Sequence, residues 1–264
     1  KAHVSPCLRR LARANILDGS PVTGGAAFPA TDPTYRKPAM RYFPVSVLLA
    51  GLLVSPALGD DSQPQPDEDG FTSLFDGQTL EGWQGSTDGY YAEDGVLVCK
   101  KKGGGNLYTE KEYADFVFRF EFKLTPGANN GVGIRAPLGG NPAFDGVEIQ
   151  ILDHDHEMYK DIKPYQAHGS VYGVVPAKRG YLKPVGEWNS EEIRVEGTHY
   201  KVTLNGHVIV DADVAEAAKN GTIDGAKHPG LERTKGHIAF CGHGAHIEFR
   251  DIRVMELPAE GADN

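Results

Sequence analysis

From Phe116 to Leu124 every second residue is a large apolar one: Phe116, Phe118, Phe120, Phe122 and Leu124, separated by Val117, Arg119, Glu121 and Lys123. A period of two places all five on one side of an extended strand, whereas a helix would scatter them round its circumference. Aromatic rings in that row need a second layer thick enough to cover them, and a facing sheet supplies it. The opposite side of the strand carries Arg119, Glu121 and Lys123, which suit either a solvated ion-pair face or the wall of a cleft.

The rest of the chain keeps the same period in shorter pieces. Val96 to Cys99, Leu107 to Thr109, Val132 to Ala136, Val147 to Leu152, Glu192 to Glu196, Tyr200 to Leu204, His207 to Val210, Gly236 to His243 and His246 to Val254 all read as strands. Turn signals stand between them. Asp76-Gly77 and Asp94-Gly95 mark turns, Asn205-Gly206 marks a tight hairpin, and Pro126-Gly127-Ala128-Asn129-Asn130-Gly131 reads as another hairpin turn. Val214 to Lys219 is the one short helical candidate, and Trp83 is expected in the core. With 33 Gly and 17 Pro in 264 residues, this pattern predicts an all-β jelly-roll sandwich.

The ends read differently. Met40-Arg41 precedes an apolar run from Val45 to Val54 and the small-residue stretch Ser55-Pro56-Ala57-Leu58-Gly59, the composition of a secretory signal peptide cut after Gly59. The run is too short for a membrane span. Residues 1–39 are then an upstream extension, 60–70 a Pro- and Asp-containing linker, 71–257 the folded domain and 258–264 a tail. The mature chain is expected in the periplasm or outside the cell. A net charge of −9 without a Lys/Arg run argues against nucleic-acid binding. Two cysteines follow the leader, Cys99 and Cys241, and their spacing leaves open both a disulfide and two free thiols.

Chemistry is expected around Asp145 to Glu157. Val147, Ile149 and Ile151 face a core, so Glu148 and Gln150 face outward, and the strand runs into Asp153-His154-Asp155-His156-Glu157. That acid and imidazole run suits either a divalent cation or plain solvation. Arg135 stands out of phase with Val132 and Ile134, beside Gly131 and Gly133, where bare backbone lets a ligand approach. Nine of the ten His fall between His154 and His246, and His243 sits between two glycines.

Several motifs together, Leu74-Phe75-Asp76-Gly77, Leu80-Glu81-Gly82-Trp83, Asn129-Asn130-Gly131-Val132-Gly133-Ile134-Arg135, Val147-Glu148-Ile149-Gln150-Ile151-Leu152-Asp153, Gly186-Glu187-Trp188-Asn189 and Phe249-Arg250-Asp251-Ile252, resemble the 3-keto-disaccharide hydrolase domain family. The resemblance spans Phe71 to Leu257 and implies a concanavalin A-like lectin/glucanase sandwich acting on carbohydrate. Cys241 stands where that family more usually has Gln or a similar polar residue. The implied chemistry is removal of the proton at C2 of a 3-keto sugar, elimination at C1 and hydration. On that basis Glu148 is expected as base or metal ligand, Arg135 as the clamp on the ketone, and His243 as acid or ligand. Gln150, Asn130, Tyr172, Trp188, Asn189 and Glu121 are expected to bind the sugar, and Glu148, His243 and Asp153 are the candidate ligands of a divalent metal ion. Two rivals stand beside this reading. A retaining glycosidase would use Glu148, Gln150 and Asp153 in series, but Gln150 holds no charge. A carbohydrate-binding module would use the same cleft without catalysis.

Overall fold

The computed structural model describes residues 66, 67 and 69–258. The expected leader and upstream extension, most of the linker and the last six residues therefore lie outside the described residues. The described residues form thirteen strands: β1 (Thr72–Ser73), β2 (Trp83–Gly85), β3 (Tyr90–Glu93), β4 (Val96–Cys99), β5 (Gly105–Tyr113), β6 (Phe116–Leu124), β7 (Asn129–Ala136), β8 (Val147–Leu152), β9 (Trp188–Glu196), β10 (His199–Leu204), β11 (His207–Asp213), β12 (Gly236–Gly242) and β13 (Ile247–Glu256). Two short helices accompany them, α1 (Pro142–Asp145) and α2 (Val214–Ala218).

The strands form two antiparallel sheets. The larger runs β11-β10-β9-β6-β13-β4-β3, with β1 also on β13; the smaller runs β2-β5-β12-β7-β8. The phenylalanines of β6 are buried between them, as their alternation requires. Phe240 from the small sheet stacks on Phe249 from the large one, with ring centroids 4.1 Å apart, and meets Phe120 edge-on at 5.9 Å. Trp83 closes one side, stacked 5.6 Å from Phe240 while its indole N–H donates to Leu74 O at 2.7 Å. Burial of each such ring contributes about 1.5–3 kcal/mol, so this cluster ties the sheets together. The architecture is the all-β jelly-roll sandwich that the alternation and turns predict, of the concanavalin A-like type that the resemblance implies.

Local chemistry explains the boundaries. Asn205 and Gly206 both take positive φ (49° and 82°), the geometry of a two-residue hairpin whose twist matches its strands. Asp213 caps α2 by accepting from Glu216 N at 2.8 Å. The expected hairpin at Pro126 is instead a crossing, because β6 belongs to the large sheet and β7 to the small one. Turn residues signal a reversal, and a reversal serves equally for stepping between layers. Both cysteines are free and buried: Cys99 lies in the inter-sheet core, whereas Cys241 belongs to a separate apolar patch with Tyr108, Ala136 and Ala239.

Candidate active site

The outer face of the small sheet carries the cleft. Register places Tyr108, Ala239, Gly133 and Glu148 in one row across β5, β12, β7 and β8. Asn106 pairs with Cys241 and Gly131 with Gln150 in the next row. Because Val132, Ile134, Ile149 and Ile151 occupy the inner face, the period of two leaves glycines and polar side chains outside. Along the free edge of β8, Tyr172 N donates to Glu148 O (2.9 Å), while Gln150 N donates to Ser170 O (3.0 Å) and Gly169 N to Gln150 O (2.7 Å). That strap brings Gln166 and Tyr172 to the wall.

The resulting cleft has a volume of about 620 Å³, within the range of small-molecule sites. Its floor is Asn106, Asn129, Glu148, Gln150 and Cys241, with His243 at the rim. Asn141, Phe144, Tyr159, Ile162, Gln166 and Tyr172 form the walls. Asn141 caps α1 by accepting from Ala143 N at 3.1 Å, and Tyr108 Oη donates to Gly140 O at 3.2 Å, which fixes the rim loop over the sheet. Amides beside aromatic and aliphatic surface offer hydrogen bonds to hydroxyls and a platform for the apolar face of a ring.

Glu148 is the one carboxylate among the lining residues. It is 5% exposed, and its Oε1 has no hydrogen-bond partner. Burial disfavours its charged form and pushes its pKa up to about 7. The carboxyl extends over Gly131, where any Cβ would fall inside it. Gln150 is held beside it, its Nε2 donating to Asn129 Oδ1 at 2.7 Å. The Cys241 thiol is pushed well above its usual pKa, first by burial and then by the nearby Glu148 charge, so it stays protonated. Desolvation by surrounding protein also lowers the His243 pKa, favouring the neutral imidazole.

The structure thus brings Glu148, Gln150, Tyr172 and His243 to one cleft and takes the other expected residues elsewhere. Arg135 is not a clamp. One residue of β12, Ile238, opposes both Ile134 and Arg135, a bulge at which Arg135 takes φ 49° and its side chain leaves the cleft face. Its guanidinium pairs with Asp115 (2.7 Å) and donates to Ala114 O (2.9 Å), Gly197 O (2.9 Å) and Arg233 O (3.0 Å), closing one end of the sandwich. Asn130 shares the inner phase of Val132 and is fully buried. Asn189 is buried as well, accepting from Lys183 N and Asn205 Nδ2 at 2.9 Å each.

Trp188 and Glu121 lie on the outer face of the large sheet. Arg250 covers the indole at 4.0 Å and donates to Glu121 at 2.6 Å, so both belong to an ion-pair ladder there. Asp153 does not join Glu148 and His243: its Oδ2 accepts from Gly127 N at 2.8 Å and holds the β6–β7 crossing. Of its neighbours, Asp155 pairs with Arg179 (3.1 Å) and His156 Nδ1 accepts from Met158 N (3.2 Å). Among the described residues no three His, Cys, Asp or Glu side chains converge as a ligand set, so the expected metal triad does not fit. The series expected for a retaining glycosidase fails for the same reason, since the cleft holds one carboxylate.

Asn106, Asn129, Asn141, Phe144, Tyr159, Ile162 and Gln166 were not among the expected residues. Strand pairing alone reveals Asn106, opposite Cys241. The wall residues come from loops and short turns that carry no periodic signal.

A two-sheet jelly roll with an amide- and aromatic-lined cleft around one buried carboxyl defines a carbohydrate-active β-sandwich. The chain belongs to the 3-keto-alpha-glucoside-1,2-lyase-like domain family, whose profile matches residues 70–255. A 3-keto-disaccharide hydrolase of Bacteroides thetaiotaomicron is 28% identical, the match covering 75% of this chain and 82% of that one. A crystal structure of a candidate glycosyl hydrolase from Parabacteroides distasonis superposes with a TM-score of 0.63 at 31% identity, covering 71% of this chain and 99% of that one. A second from the same organism gives 0.63 at 25% identity, covering 72% and 95%.

Proposed function

We propose that this protein cleaves the glycosidic bond of 3-keto glycosides by elimination and hydration, with Glu148 as the base. The supporting observation is the lone, unpartnered carboxyl of Glu148, with a pKa of about 7 in a cleft without a second carboxylate. Direct displacement at C1 needs two carboxyls; proton abstraction needs one. A ketone at C3 acidifies the C2–H bond, so a base that half-ionises near neutrality is matched to the task.

In this scheme Glu148 takes the C2 proton, and the C–H electrons form the enolate with the C3 ketone. Collapse of the enolate forms the C1–C2 double bond and expels the C1 oxygen, which takes the proton that Glu148 holds and leaves as the alcohol. Water then adds its oxygen to C1, and the proton it gives up passes through Glu148 to C2. The sum is one glycoside and one water giving a 3-keto sugar and an alcohol. The first half alone is a 1,2-lyase reaction and the whole is a hydrolysis, so the family description and the relative's name are compatible. His243, a neutral imidazole at the rim, hydrogen-bonds an oxygen that takes up charge, while Asn106, Asn129, Gln150 and Gln166 receive hydroxyls. The leader-like segment 40–59 supports action in the periplasm or outside the cell.

The test is incubation with a 3-keto-glucoside and with the parent glucoside in deuterated water. Release of the alcohol from the keto compound alone, with one deuterium at C2, is the expected result. Cleavage of the parent glucoside at a comparable rate overturns the scheme.

A further inference from the structure

We infer that Asp224 and His228 form a latch behind the cleft that sets Phe144 and Tyr172 as its sugar-stacking wall, which makes both positioning residues. The inference rests on reading the cleft as the sugar site.

His228 is buried, its side chain 2% exposed, and lies outside the cleft lining. Both ring nitrogens face acceptors: Nε2 stands 2.9 Å from Asp224 Oδ2 and Nδ1 stands 3.1 Å from Ala143 O. Ala143 and Phe144 line the cleft, and the Phe144 ring packs on the His228 ring at 4.9 Å. Asp224 reaches the second wall segment. Its backbone N–H donates to Gly173 O at 3.3 Å, and its carboxylate fills the space that a side chain on Gly173 would occupy. The residue before Gly173 is Tyr172, whose ring meets Phe144 edge-on at 6.5 Å.

One five-residue segment thus ties two wall pieces that share no strand pairing. α1 has four residues, too short to hold itself in place. Two residues beyond His228, Gly230 presses its backbone against Gly146, so the chain from Asp224 to Gly230 meets α1 at Ala143 and again just past its end. A buried imidazole with two well-placed acceptors and no access to the cleft floor has no chemical task in bond breaking. Its effect passes through the rings it holds.

Two measurements decide the matter. In amide hydrogen exchange, His228→Ala is expected to speed exchange at 142–146 and 171–173 and to leave the β6 core unchanged. Unaltered exchange at both segments overturns the latch, whatever the protein's activity. In kinetics on a 3-keto-glucoside, His228→Ala and Phe144→Ala are each expected to raise KM roughly three- to tenfold with kcat within about twofold. The double variant should match Phe144→Ala alone, because both act on one ring. His228→Asn, which keeps an N–H near the Nδ1 position, should recover most of the lost KM. Full additivity, or a fall in kcat at constant KM, overturns the positioning role. Should His228→Ala not fold, Asp224→Ala takes its place in both measurements. Failure of the wild type to cleave any 3-keto-glycoside removes the proposed reaction, and the exchange measurement still judges the latch.

Discussion

The carboxyl of Glu148 occupies the space above Gly131 that any other residue's side chain would fill. Strand pairing sets Glu148 opposite Gly133, so the side chain leans one step along β7 to reach this position. Gly131→Ala is therefore expected to displace the carboxyl. Turnover should fall by about a hundredfold or more, and stability by roughly 1–3 kcal/mol from overpacking. Full activity with an unchanged melting temperature would show that the carboxyl acts from elsewhere.

The proton affinity of Glu148 has two consequences with opposite trends. As base it must be ionised, so turnover on the keto substrate should rise with pH through about 7. Stability should run the other way. The folded pKa of about 7 lies above the ordinary 4.5, so the folded chain binds the proton more tightly and loses stability as pH rises between those values. Glu148→Gln removes that loss. It should be more stable than wild type at pH 8, by on the order of 3 kcal/mol at most, and equal to it near pH 4. Melting curves at the two pH values check the sign.

His154 should govern part of the acid sensitivity. Burial, with Arg179 adding to it, lowers its pKa from 6.5 to about 4, and its Nδ1 accepts from His168 N at 3.1 Å. The unfolded chain takes up the proton first, so stability is lost as pH falls from 6.5 towards 4. His154→Asn should flatten that slope. An unchanged slope of melting temperature against pH would contradict the assignment.

Arg135 should matter for folding and not for substrate. Its removal leaves Asp115 without its cation and three backbone carbonyls without the guanidinium donor, and Arg135→Met is expected to cost about 3–5 kcal/mol. The folded fraction should keep the wild-type KM. A selective rise in KM at unchanged stability would restore the residue to the cleft.

Much of this architecture was legible in the alternation of apolar residues. The row of Phe116 to Leu124 required a second sheet, and the phase of Val147, Ile149 and Ile151 placed Glu148 and Gln150 outside. Phase failed at Arg135, because a bulge adds a residue and no sequence signal marked it. Asn130 has a polar side chain on an inward position, so its residue type suggested a site while its phase, read strictly, placed it in the core. Alternation turns Glu121 outward correctly, but it fixes only a side of a strand and says nothing about which layer holds the cleft, and Glu121 and Trp188 both belong to the large sheet. Phe144 and Asn141 come from a four-residue helix and its cap, held by Tyr108 across the sheet and by His228 more than eighty residues on, long-range relations that local pattern does not carry.

The most direct measurement compares wild type with Glu148→Gln on a 3-keto-glucoside at pH 8, following release of the alcohol and exchange of the C2 proton together. Loss of both by a thousandfold or more, in a protein that melts at or above the wild-type temperature, is expected if this carboxyl is the base. Full turnover in the variant would remove Glu148 from the chemistry and leave the cleft as a binding surface only.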